Sequence, residues 1–437
     1  MSITKKRSLR QIFAGILCMG ILVTGAQPCA AAAYGYDEYG DPIVTATPVP
    51  DSQSEQATQV TQAVPEHSSY YSQAADTDSI DGWPTGPNIE AQAAVLMDVN
   101  TEAVLYSKNA DTQLYPASIT KILTTLLACE NIPYKQKITV SESASASVSA
   151  GDSSIYAAPG EVFTRDQALM AVMLQSANEM SVAVAEQVSG SVKKFTELMN
   201  WRAKLFGCKN THFNNPNGLP DENHYTTASD MARIAKSAWL NPLYRKFCTR
   251  RYYEIPPTNK FAEARQLLNH HKMIKNGEYY YEGVLGGKTG YTDASGNTLV
   301  TYCKRGNMTL VAVILNSTSA ANAYSDTASL FNYGFENFEK VDMKVSMNPV
   351  PFKVLLCDKY ILKDNGNTYP FYYKTKVYVT LPKGIRKSKL NKRQAVLQNA
   401  AGPLRLKSKY YYNKHLVGWG MQYERNVVSD LLLQTSS

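Results

Sequence analysis

Ser118 and Lys121 stand three residues apart in Tyr115-Pro116-Ala117-Ser118-Ile119-Thr120-Lys121. On a helix such positions share a face, so the lysine amine comes within hydrogen-bond reach of the serine hydroxyl. That pair can support nucleophilic catalysis without histidine. A serine hydroxyl is a poor nucleophile at neutral pH, and an amine takes its proton only if burial or a nearby cation keeps the amine uncharged. The spacing alone is weak evidence, because Ser2-Ile3-Thr4-Lys5 and Ser191-Val192-Lys193-Lys194 repeat it. The first lies in a basic chain start. The second opens a helix with a polar surface and lacks a preceding Pro-Ala, so both read as solvated. Two later stretches carry compatible chemistry: Ser176-Ala177-Asn178 and Lys288-Thr289-Gly290-Tyr291. In isolation the first reads equally well as a helix break with capping side chains, and the second as a solvated edge-strand lysine.

The surrounding pattern indicates what positions these groups. Apolar residues recur at helical spacing after Ser118, with Pro116 just upstream, which predicts the serine at or inside a first helical turn. The field of a helix N-terminus there favours negative charge on the oxygen. Thr164-Arg165-Asp166-Gln167 is a capping box opening a helix through Leu169, Met170, Met173 and Leu174; it breaks at Gln175–Asn178 and resumes through Val182, Val184 and Ala185. Helices are also predicted from Ser191 to Phe206, stopped by Gly207, from Ser229 to Leu240, and from Ser319 to Phe338. Lys288 falls on a strand. Hairpins are predicted for 93–98 with 103–107, turning at Asn100, and for 298–303 with 308–315, turning at Arg305-Gly306-Asn307. The Ser/Ala/Gly-rich segment 138–160 reads as a long loop bordering a site. Strands at both ends with helices between them predict an α/β (α+β) class: one mostly antiparallel sheet, covered by helices and carrying a helical insertion. Beyond Phe338 the helical period gives way to short strands at Val354–Leu356, Lys376–Leu381 and Leu404–Leu406, which predicts a small C-terminal all-β domain.

The chain of 437 residues suits two or three domains. Its formal net charge of +8 is unevenly spread. No Lys or Arg occurs from Tyr34 to Asn88, whereas from Glu339 onward basic residues outnumber acidic ones about three to one. Residues 1–33 read as a secretory signal peptide: a basic start, the apolar run Ile12–Val23 and a small-residue site near Ala30–Ala33, with retention as an anchor the alternative. Residues 34–88 read as a disordered acidic linker, 89–338 as the chemical domain, and 339–437 as a basic β-rich domain. In that last part Lys383, Arg386, Lys387, Lys389, Lys392 and Arg393 cluster, suiting a solvated face or contact with a membrane surface or an anionic wall polymer. The apolar end, Val427-Val428 and Leu431–Leu433, is a weak candidate for a second anchor. Beyond the signal segment, Cys129, Cys208, Cys248, Cys303 and Cys357 are an odd set at wide, irregular spacing that supports neither a metal site nor a disulfide framework. No cofactor and no nucleic-acid partner is implied.

Ser118-Ile-Thr-Lys121, Ser176-Ala-Asn178 and Lys288-Thr-Gly290, in that order and setting, resemble the three signatures of the penicillin-recognising serine enzymes. Within that group the chain most resembles the low-molecular-mass D-alanyl-D-alanine carboxypeptidases over about Ile89 to Phe338. Asn210–Phe213, Asn215–Leu219 and Tyr291-Thr292 add to the likeness. The resemblance implies a β-lactamase/transpeptidase-like fold and an exported, extracytoplasmic enzyme acting on peptidoglycan stem peptides, with β-lactams as covalent inhibitors. It implies Ser118 as nucleophile, Lys121 as proton acceptor, Ser176 as relay to the leaving amine and Asn178 as orienting group. Lys288 would keep Lys121 uncharged and, with Thr289, hold the terminal carboxylate. Gly290 would allow close approach, and the Ser118 and Tyr291 N–H groups would form an oxyanion hole. His212 and His224 are expected to be structural. Where the family often carries Asn-x-Asn, this chain has Asn269-His270-His271. The rival readings are a β-lactamase, for which no class A Glu-x-x-Leu-Asn stretch is present, and a non-catalytic wall-binding protein.

Overall fold

Ala93–Asp98 (β1), buried at every position, and Val104–Lys108 (β2) pair as an antiparallel hairpin. A 3-10 turn at Ala117–Thr120 runs straight into helix α1, Lys121–Asn131. The expected loop 138–160 is partly ordered: β3 (Lys137–Thr139) pairs with β4 (Val162–Thr164), and α2 covers Glu142–Ser145. The capping box at Thr164 and Gln167 forms as its residues predict and starts α3, Arg165–Leu174. Next come α4 (Asn178–Ser189), α5 (Val192–Leu205) and α6 (Ala228–Leu240). No element is predicted between Leu240 and Gly283, yet α7 (Pro242–Cys248) and the hairpin β5 (Tyr252–Ile255) with β6 (Arg265–Leu268) lie there. The start of α7 was legible, since Asn241 caps it and Pro242 sits at its first position. The lysine strand is β7, Val284–Thr292; β8 (Gly296–Arg305) and β9 (Met308–Ser317) form the second predicted hairpin, and α8 covers Ala320–Asn337.

These strands form one antiparallel sheet in the order β2-β1-β9-β8-β7. Both faces are buried. Val95, Val300, Val311, Val313 and Leu315 point into a core shared with α1, α3, α4 and α6. Their alternating neighbours Leu96, Leu299, Leu310, Ala312 and Ile314 pack on the opposite face with Leu330 and Phe331 of α8. Each fully buried Val, Leu or Ile side chain contributes about 1.5–3 kcal/mol, so a sheet covered on both sides is a rigid base for chemistry at its β7 edge.

A second sheet follows α8. It runs β10 (Phe338–Asp342), β13 (Tyr378–Pro382), β16 (His415–Glu424), β12 (Thr368–Tyr373), β11 (Val350–Lys353), with β15 (Arg405–Tyr412) also on β16 and β14 (Asn391–Leu397) beyond it. It docks on the first hairpin through buried polar contacts: the Thr380 hydroxyl donates to Asp98 Oδ2 at 2.8 Å and meets Thr101 Oγ1 at 2.8 Å. The cluster from Lys383 to Arg393 is exposed.

The computed structural model describes residues 35–36, 42–43, 67–274, 277–345, 350–353, 368–397 and 405–424. Met1–Ala57 and Thr58–Ser437 are separate compact units; in the first, Gly35–Tyr36 pairs with Pro42–Ile43. The signal peptide, the strand expected at Val354–Leu356 and the apolar C-terminal stretch lie outside the described residues. Among those described, no helix is long and apolar enough to cross a membrane. One expectation is corrected: residues 67–88, read as part of a disordered linker, belong to the folded unit. Average composition hides a few anchors there. Trp83 is buried, donates Nε1–H to Leu105 O at 2.8 Å and packs edge-on against His415. Lys108 Nζ donates to Tyr70 O and Ile89 O. The segment thus covers the edge strand β2, which would otherwise expose unpaired backbone.

Candidate active site

The nucleophile turn is held in an uncommon backbone shape. Ala117 has φ +50°, and Pro116 O accepts the Thr298 hydroxyl of β8 at 2.9 Å. Ser118 is thereby presented, half-buried, at the N-terminal end of α1. Lys121 is fully buried one turn on, and its Nζ contacts Ser118 Oγ at 2.8 Å, Asn178 Oδ1 at 2.7 Å and the Asn217 carbonyl at 2.6 Å. A neutral amine has two N–H donors and one lone pair. Asn178 Oδ1 and Asn217 O are acceptors, so they take both donors and leave the lone pair facing the Ser118 hydroxyl. Burial pushes the Lys121 amine well below the ordinary lysine range, and the charge of Lys288 pushes it further; Glu179 and Asp152 oppose this.

The second motif sits where α3 breaks before α4. Ser176 adopts φ +59°, and Asn178 N donates to Ser153 O at 2.9 Å, tying the 146–160 border loop to the motif. Lys288, on β7, donates to Ser176 Oγ at 3.0 Å and to Thr289 O at 2.8 Å. Burial lowers its pKa to about 7. All three motifs therefore meet at one place. The cavity above them, about 410 Å³, is bordered by Ser118, Ser176, Asn178, Thr289, Gly290 and Tyr291, among others. Lys288 differs in detail from the sequence reading: it lies beneath this surface, turned toward Ser176, and not on the cavity wall. Gly290 is needed for close approach, since a Cβ there would lie 2.8 Å from Ser118 N and 2.4 Å from Thr298 Oγ1. The same proximity brings the β7 backbone beside the Ser118 N–H, the arrangement an oxyanion hole requires.

Three contributors were not identified from the sequence. The Asn217 carbonyl is one, because a backbone acceptor leaves no residue-type signal. Gly218 is another: it has φ +91°, and a Cβ there would lie 1.9 Å from Ala117 O. The third is His224, correctly expected to be structural but without its partners. Its Nδ1 accepts from Asn214 N at 3.0 Å and Asn215 N at 3.3 Å, which leaves Nε2–H to donate to Thr120 Oγ1 at 2.9 Å. The ring clamps the 210–219 loop onto the nucleophile turn. His212 lies outside the cavity, its Nδ1 on Asn223 O. In the Asn269-His270-His271 segment, Asn269 Nδ2 donates to Arg250 O, His271 Nε2 meets Thr301 Oγ1, and only His270 reaches the cavity wall.

Burial lowers both His224 and His271 to about 4. Between that value and the unfolded value near 6.5 the unfolded chain binds more protons than the folded one. Stability is therefore present above pH 6.5 and lost as pH falls toward 4, by up to about 3 kcal/mol per ring. Thermal unfolding at pH 7.5 and pH 5 should show a clear fall in Tm at the lower pH, and His224→Asn should flatten that fall. An unchanged pH dependence in the variant would show that His224 does not carry it.

With this geometry in view, the similarity to known proteins is specific. A family model described as D-alanyl-D-alanine carboxypeptidase matches residues 82–319. The chain belongs to the D-alanyl-D-alanine carboxypeptidase family. It is 38% identical over 255 residues to D-alanyl-D-alanine carboxypeptidase DacF of Bacillus subtilis, covering 57% of this chain and 63% of that relative's length. Among solved structures, penicillin binding protein 5 from Haemophilus influenzae aligns with TM-score 0.63 and 27% identity, over 78% of this chain and 98% of that one. The Streptomyces K15 DD-transpeptidase aligns with TM-score 0.55 and 29% identity, over 58% of this chain and all of that one. The family match begins at residue 82, next to the buried Trp83, in keeping with the folded state of that segment.

Proposed function

We propose that the protein is a serine-type carboxypeptidase that removes the terminal D-Ala from peptidoglycan stem pentapeptides through an acyl-enzyme on Ser118. The observation that carries the reading is the buried Lys121 Nζ at 2.8 Å from Ser118 Oγ, with Asn178 Oδ1 and the Asn217 carbonyl placed to accept two N–H groups of a neutral amine. Ser118 gives its proton to Lys121 while its Oγ bonds to the carbonyl carbon of the penultimate D-Ala. The N–H groups of Ser118 and Tyr291 hold the oxyanion. The C–N bond then breaks, and the leaving amine takes its proton through the Ser176 hydroxyl, which Lys288 contacts from behind. Water attacks the resulting ester, giving one proton to Lys121 and then to Ser118, and releases the shortened peptide as a carboxylate. Asn178 orients both Lys121 and the substrate amide, and Thr289 meets the terminal carboxylate. A β-lactam enters the same first step, but its leaving amine stays tethered.

Such a substrate lies outside the cytoplasm, so the reading carries export with it, supported by the basic and apolar pattern of residues 1–33. Release of D-Ala from a synthetic wall pentapeptide tests the reading. Wild type should release it, and Ser118→Ala should lose at least about 10³-fold in kcat/KM. Rapid turnover of a penicillin adduct without D-Ala release would indicate a β-lactamase, and absence of any adduct a non-catalytic protein.

A further inference from the structure

A stem peptide's terminal carboxylate, on the Thr289 side of the scissile bond, calls for positive charge on the cavity wall. Few groups there can carry positive charge. Lys288 is buried under the wall and turned to Ser176 Oγ and Thr289 O. His270, an exposed residue, borders the cavity with Nε2 on Gln175 Oε1 at 3.2 Å; partial desolvation and the charges of Lys288 and Lys121 lower its pKa, so it is mainly neutral at pH 7. The first turn of α8 offers only Ala320 and Ala323. Among the described residues on the cavity wall, Lys272 is the one lysine or arginine.

The position of Lys272 is fixed. Its N–H donates to Tyr324 Oη at 3.3 Å, the same hydroxyl donates to His270 O, and the Tyr324 ring itself lines the cavity. His271, between the two, is pinned to Thr301 on β8, opposite Gly287 of β7. The Lys272 ammonium, in contrast, is held among the described residues by Glu278 Oε2 alone, at 2.6 Å, in a pair more than half exposed on both sides. Exposed pairs of this kind contribute little, and exchange of one carboxylate for another keeps the same chemistry.

We propose that Lys272 is a specificity-determining residue for the carboxypeptidase reaction: it leaves Glu278 and pairs with the terminal carboxylate of the stem peptide as the substrate seats. The proposal rests on the carboxypeptidase reading. It gives the two partners opposite effects, which a merely structural surface pair does not. Lys272→Met should raise KM for a free-acid pentapeptide about tenfold, with kcat little changed. Lys272→Arg should restore most of the loss. Glu278→Gln removes the competing carboxylate and should lower KM about two- to threefold.

Steady-state release of D-Ala by the full-length protein and these three variants, with circular dichroism to verify the fold, decides the matter. Opposite KM shifts for Lys272→Met and Glu278→Gln support the proposal. Unchanged KM in both, or equal increases in both, would overturn it while leaving the carboxypeptidase reading intact. If wild type itself released no D-Ala, that reading would fail first and take the proposal with it.

Discussion

Lys121→Met should lower the rate at which a labelled penicillin acylates Ser118 by about 10³–10⁴-fold, with the fold retained. Methionine fills a similar volume and removes a group that burial penalises whenever it is charged, so a loss of stability large enough to explain inactivity is not expected. Lys121→Arg should be about as inactive, although it keeps the positive charge, because a guanidinium remains protonated and offers no lone pair. The pair of variants separates two roles for the lysine. If positive charge beside Ser118 were what mattered, Arg would retain much of the activity and Met would not. Stopped-flow acylation at pH 7.5, read together with thermal unfolding, distinguishes these outcomes.

The second large effect is expected at a residue with no reactive group. Gly218→Ala should slow acylation at least about 100-fold, because displacement of a reacting atom by about 1 Å is enough for such a loss. Two independent constraints meet at this position. The backbone is left-handed, at φ +91°, and an added Cβ would lie 1.9 Å from the Ala117 carbonyl and 2.9 Å from Ser118 N. Both neighbours are backbone atoms of a turn already held at φ +50° and tied to β8 through Thr298, so they cannot move aside without displacing the nucleophile. The Asn217 carbonyl, which takes one of the two Lys121 donors, belongs to the adjacent residue and would move with it. Acylation rate and Tm should therefore fall together, unlike in the Lys121 variants. A Gly218→Ala protein that acylates at the wild-type rate would mean that the 215–219 loop does not fix the base.

Ser118, Lys121, Ser176, Asn178 and the Lys288–Tyr291 strand were legible because side-chain chemistry recurs there in a fixed order, and the helix break at Gln175–Asn178 was visible as an interruption in apolar spacing. The nearly continuous apolar runs of β1, β8 and β9 were equally readable, since a sheet covered on both faces buries side chains at every position. What could not be read is what depends on distant backbone. The Asn217 carbonyl, the clamp of His224 on Thr120 and the Thr298 anchor join segments about a hundred residues or more apart, and none requires an unusual residue type. The 67–88 segment failed for another reason. Its composition is that of a linker, but one tryptophan and a few capping groups suffice when a formed sheet edge is available to dock on. The direction of Lys288 likewise depends on where the α3–α4 junction comes to rest, which its own strand does not encode.

Acylation by this geometry requires the Lys121 amine to be uncharged at working pH. Lysine-selective carbon-13 NMR of the intact protein, with the Lys121 signal assigned by its loss in Lys121→Arg, measures this directly. The free-amine shift is expected at pH 8, with protonation only at a pH well below the ordinary lysine range and dependent on the charge of Lys288. A Lys121 signal that stays fully protonated through pH 8 and titrates near 10.5 would contradict it.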